Sequence, residues 1–173
     1  EALSHFGLSN KRTILVLGGS LGARSINEAI AGILDFFIEN DLQLIWQTGK
    51  NYIDVAQKKL SEDKCNDLKC MAFIKRMDLA YAVADFVVSR AGALSISELC
   101  VVKKASILVP SPNVSEDHQT KNAMALVEKG AALVIKDDEV GLNLKETLNE
   151  LISNAKVKDE LVSNIAKMGI YDA

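Results

Sequence analysis

The chain is poor in cysteine and proline, and several absences narrow what it can be. Its three cysteines, Cys65, Cys70 and Cys100, stand singly in ordinary segments of the 173 residues. An odd, scattered set suits a reducing compartment better than a disulfide framework. The Cys65/Cys70 spacing has no second pair of Cys or His nearby, so it is not a zinc motif. Only two prolines occur, Pro110 and Pro112, and there is no repeat, low-complexity tract or linker. No apolar run approaches the roughly 20 residues of a membrane helix. The first dozen residues, EALSHFGLSNKR, have no apolar stretch of the signal-peptide kind. No basic block occurs and the net charge is -3, which argues against a nucleic-acid partner.

What is present is a core. Hydrophobic residues make up 49% and charged residues 25%, enough for one ordinary domain and too apolar for disorder. Short apolar runs alternate with helical patterns along the whole chain. Strands are expected over Arg12–Leu17, Leu42–Gln47, Leu68–Phe73, Asp85–Ser89, Ser106–Val109 and Ala131–Ile135. Between the first two, Ile26, Ile30, Ile33, Leu34 and Phe37 recur at helical spacing. Further helices are expected over Tyr52–Leu60, Met77–Ala84, Leu94–Val102, His118–Lys129, Leu144–Asn154 and Val157–Met168. Such alternation predicts an α/β fold: a doubly wound, parallel six-stranded sheet with helices on both faces. Ligands in that architecture bind beyond the carboxyl ends of the strands, near the switch in strand order.

Three strand-to-helix loops carry the chemistry. The first, Gly18–Arg24 (GGSLGAR), joins sharp-turning glycines to a helix start, and Ser20 adds a hydroxyl that can donate to a phosphate. A tight turn without ligand explains it equally well. The second runs from Ser89 through Arg90, Ala91 and Gly92 into Ala93, Leu94, Ser95, Ile96, Ser97 and Glu98. Amides of Ala93–Ser95 at a helix start are a natural seat for a diphosphate. Glu98, about one turn in, can accept two hydrogen bonds from a ribose diol, or can merely complement the helix dipole. The third, Ser111–Ala123, crowds polar groups at another helix start, where Ser115, Glu116 or Asp117 can cap. Gln119 and Asn122, three apart, share a helix face, and their amides suit sugar hydroxyls; His118 beside them also fits a polar surface role.

The first loop does not make this a nicotinamide fold. GGSLGA departs from G-x-G-x-x-G, and the second strand ends Gln47-Thr48-Gly49-Lys50, without the acid that grips a ribose. No G-K-[ST] follows the glycines, which argues against a P-loop.

Taken in order, GGSLGAR (18–24), QTGK (47–50), FIKRM (73–77), YAVADFVVSRAGALSISEL (81–99), DHQTKNA (117–123) and EKGAALVI (128–135) resemble the C-terminal, donor-binding domain of the MurG family. These are peptidoglycan N-acetylglucosaminyltransferases of the two-domain GT-B fold. The resemblance implies a Rossmann-like domain over 1–173 that binds UDP-N-acetylglucosamine, with the N-terminal acceptor domain absent. It implies that Ser20 meets the donor near its phosphates. Phe73 and Ile74 receive the uracil, Ile74 through its backbone. Ala93, Leu94 and Ser95, with Ile96 and Ser97 beside them, bind the diphosphate, and Glu98 the ribose. Gln119 reads the sugar hydroxyls next to Asn122 and His118; in that role its loss leaves affinity for plain UDP unaltered.

The activity so implied is inverting transfer to a lipid-linked muramoyl-pentapeptide, a step of cell-wall synthesis, cell shape and division. The family's general base, acceptor site and main membrane-contacting surface lie in the other domain. An arginine just upstream of this stretch and a last helix beyond Met168–Ala173 are also missing, so the chain is expected to be one half of an enzyme. No catalytic residue is assigned within it. No D-x-D motif occurs, so no cofactor or metal is expected, and the implied location is the cytoplasmic face of the bacterial inner membrane. A UDP-sugar epimerase or glycolipid synthase on the same fold, and a non-catalytic nucleotide-sugar-sensing module, remain as alternatives.

Overall fold

A computed structural model of the chain describes residues 1–18, 23–63, 66–113 and 118–171. Its strands form one sheet of six, in the order β3-β2-β1-β4-β5-β6. The chain divides into two compact units, Glu1–Val87 and Val88–Ala173, and the division falls within β4 (Phe86–Ser89).

The first unit is built on strands buried on both faces. Every residue of β1 (Thr13–Leu17) and β2 (Gln43–Gln47) is buried, as continuous apolar runs require when helices cover both sides. The two are parallel, with Val16 opposite Trp46, and β2 pairs in parallel with β3 (Leu68–Met71). Ahead of them, α1 (Ala2–Phe6) ends at Gly7 in the left-handed region, φ 67°. This short helix was not foreseen, because five residues are too few to show a period.

The helical pattern between β1 and β2 resolves into two helices, α2 (Arg24–Ala31) and α3 (Leu34–Glu39). Gly32 and Ile33 break it: Gly32 follows the last residue of α2, and Ile33 leaves helical geometry at φ −125°. The buried residues keep their spacing across the break, so periodicity alone did not show it. Within α2, Asn27 is buried; its Nδ2 donates to the Thr48 carbonyl and its Oδ1 accepts from Trp46 Nε1, both at 2.9 Å. One side chain thus ties α2 to the end of β2 and satisfies the buried indole. Helix α4 (Ile53–Asp63) packs on β3, and α5 (Met77–Val83) packs on α1 and β1. The strand expected to reach Phe73 ends at Met71.

The second unit contains α6 (Ala93–Val102), β5 (Ala105–Leu108), α7 (His118–Glu128) and the two-residue strand β6 (Leu133–Val134). Strands β5 and β6 pair in parallel, Ile107 opposite Leu133. A 3-10 turn, Asp137–Glu139, leads into α8 (Val140–Ser153) and then α9 (Ala155–Tyr171). Helix α9 packs on α6, β5 and α8. The sixth strand is shorter than its apolar run: Leu133 and Val134 are half buried, while Ala131, Ala132 and Ile135 are buried outside the strand. No helix of the described residues is long and apolar enough to cross a membrane.

Candidate functional site

In the first unit the expected contacts fall on two loops. Ser20, with Gly19, Leu21 and Gly22, lies outside the described residues. Where the chain resumes, Ala23 stands at the start of α2 with no side-chain cap, and Arg24 pairs with Glu28 at 2.8 Å on the exposed surface.

Phe73 and Ile74 part company. Phe73 is 60% exposed, whereas the Ile74 side chain is in the core at 1%. The Ile74 backbone N–H donates to Gln47 Oε1 at 3.0 Å. Gln47 closes β2, and at 6% exposure it is a buried amide at the carboxyl end of a strand that is apolar between its two glutamines. A buried polar group needs a partner, and here the partner is the loop after β3. Of the two Ile74 backbone groups that the resemblance offers to a uracil, the N–H is therefore already engaged. The motif QTGK had flagged this stretch, but nothing in its order showed that the side chain turns to the next loop.

In the second unit, α6 starts with its amides open to the outside. Gly92 precedes it with an extended backbone, no side chain caps the helix, and no acid occupies its first turn. The first helical hydrogen bond is from Ile96 N–H to the Gly92 carbonyl at 3.0 Å, so the amides of Ala93, Leu94 and Ser95 precede the ladder. Ala93, Leu94 and Ser97 are exposed; Ser95, Ile96 and Glu98 are half-exposed. Gly92 needs glycine neither for φ, which is −65°, nor for space, since an added Cβ would meet only Gln119 Nε2 at 3.9 Å.

The stem of α6 is held from two sides. Arg90 Nη1 donates to Asp137 Oδ1 at 2.6 Å, to the Val109 carbonyl at 3.2 Å and to the Pro110 carbonyl at 3.3 Å. Its side chain is 17% exposed and that of Asp137 20%, so the pair keeps much of its strength. From α7, Gln119 Oε1 accepts from Ser111 N–H at 2.9 Å and from Ala91 N–H at 3.3 Å, while Asn122 Nδ2 donates to the Ala91 carbonyl at 3.2 Å. The shared helix face expected for Gln119 and Asn122 is thus turned to one residue of the α6 stem. His118 opens α7 exposed, and Ser115, Glu116 and Asp117 lie outside the described residues. Sequence reasoning passed over Arg90 and Asp137, which are 47 positions apart; only the fold brings such a pair together.

Neither described cysteine is part of this. Cys100 is buried, and burial pushes the Cys70 thiol up to about 11, which keeps it protonated and unreactive at neutral pH. Among the described residues no group of His, Cys, Asp and Glu is placed to hold a metal; Cys65 lies outside them.

Comparison with known proteins sets this geometry in a family. A curated protein of Parabacteroides distasonis is 53% identical over 166 residues, which cover 95% of this chain and 45% of that protein. One of Bacteroides fragilis is 51% identical, covering 100% and 46%. Both are named UDP-N-acetylglucosamine–N-acetylmuramyl-(pentapeptide) pyrophosphoryl-undecaprenol N-acetylglucosamine transferase. The chain spans about half the length of these relatives. Among solved structures, MurG of Acinetobacter baumannii superposes with a TM-score of 0.78 at 28% identity, over 96% of this chain and 48% of that one. The model of the glycosyltransferase family 28 C-terminal domain matches residues 13–173, from the first residue of β1 through α9, and the chain belongs to that family.

Proposed function

We propose that this chain is the donor-binding half of an inverting transferase that moves N-acetylglucosamine from UDP to a lipid-linked muramoyl-pentapeptide. The observation that carries the proposal is the start of α6, where outward amides follow a glycine with no side-chain cap. Such a start favours a diphosphate through its unpaired N–H groups and the helix dipole. The relatives' shared name supplies the sugar and the acceptor.

In the second unit the groups so proposed are the Ala93–Ser95 amides for a diphosphate, Glu98 for a ribose, and Gln119 and Asn122 for a sugar. In the first unit they are Phe73 and Ile74 for a uracil and Ser20 for a phosphate. With the Ile74 N–H held by Gln47, the base meets the Ile74 carbonyl or displaces the Gln47 amide. In direct displacement the acceptor hydroxyl attacks the anomeric carbon as its bond to UDP breaks, and the leaving diphosphate gains charge. Helix-start amides fixed in place stabilise that charge more than the bound ground state. The acceptor and the general base belong to the half of the relatives that this chain does not match, and the place of action is the cytoplasmic membrane face.

Calorimetry with UDP-N-acetylglucosamine, UDP-glucose, UDP and NAD tests this. UDP-N-acetylglucosamine is expected to bind, more tightly than UDP-glucose, and NAD not at all. UDP binding as tight as the nucleotide sugar would favour a sensing module, and comparable binding of NAD would overturn the reading. Mixed with donor and a soluble lipid-precursor analogue, the chain alone is expected to release no UDP.

A further inference from the structure

The amide side chains of Gln119 and Asn122 face protein groups whose chemistry fixes their orientation. A backbone N–H only donates, so the Gln119 atom that meets the N–H groups of Ser111 and Ala91, at 2.9 and 3.3 Å, is its oxygen. A carbonyl only accepts, so the Asn122 atom at 3.2 Å from the Ala91 carbonyl is its nitrogen. Ala91 is completely buried, and α7 grips it by its N–H on one side and its C=O on the other. Gly92 follows directly, and α6 begins at Ala93. The remaining polar group of Gln119, Nε2, lies beside Gly92, 3.9 Å from where a Cβ would stand.

We infer that Gln119 and Asn122 are positioning residues for the diphosphate seat. Resting on the donor-site reading above, this gives them a part that a sugar contact alone does not. By holding Ala91 they fix the angle at which α6 presents the amides of Ala93, Leu94 and Ser95. Amides that stabilise a developing charge are effective only when held in place beforehand. Because Oε1 is committed to two backbone donors, Gln119 faces the ligand side as a donor only, and a sugar hydroxyl that meets it does so as an acceptor. The two roles separate on UDP itself: a pure sugar reader is silent toward UDP, whereas a positioning residue is not.

The experiment is calorimetry of UDP and UDP-N-acetylglucosamine with the whole chain and with Gln119→Ala, Asn122→Ala and Thr120→Ala. Thr120 lies between them on α7 and is exposed. Gln119→Ala is expected to raise the Kd for UDP about tenfold, the equivalent of one or two hydrogen bonds. Asn122→Ala shifts it in the same direction by less, and Thr120→Ala leaves it unchanged. In the ligand-free chain, the amide resonances of Ala93, Leu94 and Ser95 are expected to move in the first two variants and stay in the third. An unaltered UDP Kd in both Gln119→Ala and Asn122→Ala overturns the inference and returns Gln119 to the sugar alone. So does a loss confined to binding stoichiometry, with the remaining fraction binding as the parent does, because that reports folding only. A parent that binds no UDP overturns the donor-site reading, and the inference falls with it.

Discussion

The two units use one device to opposite ends. In the first, the oxygen of a glutamine side chain accepts the backbone N–H of the loop after β3; in the second, another accepts the N–H of the loop after β4. Gln47 sits in the core at the end of a strand, and it consumes the donor that a ligand would seek. Gln119 is half-exposed on a helix and grips the residue behind the helix start, leaving the outward amides ahead of the first helical bond. The lesson is that a hydrogen bond to a loop either uses up a binding group or aims its neighbours. Which one it does depends on whether the gripped peptide is the functional one or the one behind it.

The largest effect expected from breaking the second grip is at Arg90. Arg90→Ala removes the partner of a largely buried Asp137 and a donor shared by two carbonyls. Stability should fall by about 2–4 kcal/mol, chiefly because a largely buried carboxylate loses a short charge-assisted hydrogen bond. Urea unfolding measures it, and a loss within experimental error would mean that α7 alone holds the stem.

Glu98 tests whether the helix that is so carefully aimed carries the nucleotide. Glu98→Ala should weaken UDP by roughly 1.5–3 kcal/mol, the range for hydrogen bonds to a charged group. The melting temperature should hold, since a half-exposed acid on α6 contributes little to the fold. Equal affinity in parent and variant would remove Glu98 from the site.

Gln47 is the matching test in the first unit. Gln47→Ala leaves the Ile74 N–H buried without its acceptor, a cost of about 1–3 kcal/mol in stability. In the folded fraction, however, the freed N–H becomes available to a uracil carbonyl. UDP affinity is therefore expected to hold or improve even as the urea midpoint drops. A fall in both, in proportion, would show that Gln47 shapes the loop for the base rather than competing with it.

Much of this fold was legible because burial leaves a direct trace in composition. Runs such as TILVL and FVVS are apolar at all but one position and buried throughout, as suits a strand covered on both faces; five of the six strands lie within the segments expected of them, and β5 begins one residue earlier, at Ala105. The break at Gly32–Ile33 was not legible, because both helices bury residues at a common spacing. The loops were found by their glycines and polar residues, and the shared face of Gln119 and Asn122 follows from helix geometry alone. What that face touches was not readable: the acceptor role toward Ala91 and Ser111 depends on loops 28 and 8 residues away. For the same reason the Arg90–Asp137 pair and the Gln47–Ile74 bond escaped notice. Sequence shows which groups are polar and roughly where they lie; only the packed chain shows which of them are already satisfied.

The smallest change expected in stability, and the sharpest probe of the second unit, is a single methyl group at Gly92. Elsewhere glycine is required. Gly130 has φ +65°, and a Cβ there would come within 2.9 Å of Asn164 Nδ2. Gly92 has φ −65° and ψ 152°, values open to any residue, and its nearest neighbour would be Gln119 Nε2 at an ordinary 3.9 Å. Neither backbone nor packing therefore asks for glycine here, and Gly92→Ala should alter stability by no more than about 0.5 kcal/mol: a slightly poorer helix cap set against a less flexible unfolded chain. Yet the new methyl would stand beside the first amides of α6, in the space a phosphate must enter to reach them. UDP should then bind roughly three- to tenfold more weakly, while Gly130→Ala should lower stability and leave the Kd of the folded chain alone. If Gly92→Ala binds UDP as the parent does, the diphosphate is not seated against the start of α6, and the aim that Gln119 and Asn122 give that helix serves some other purpose.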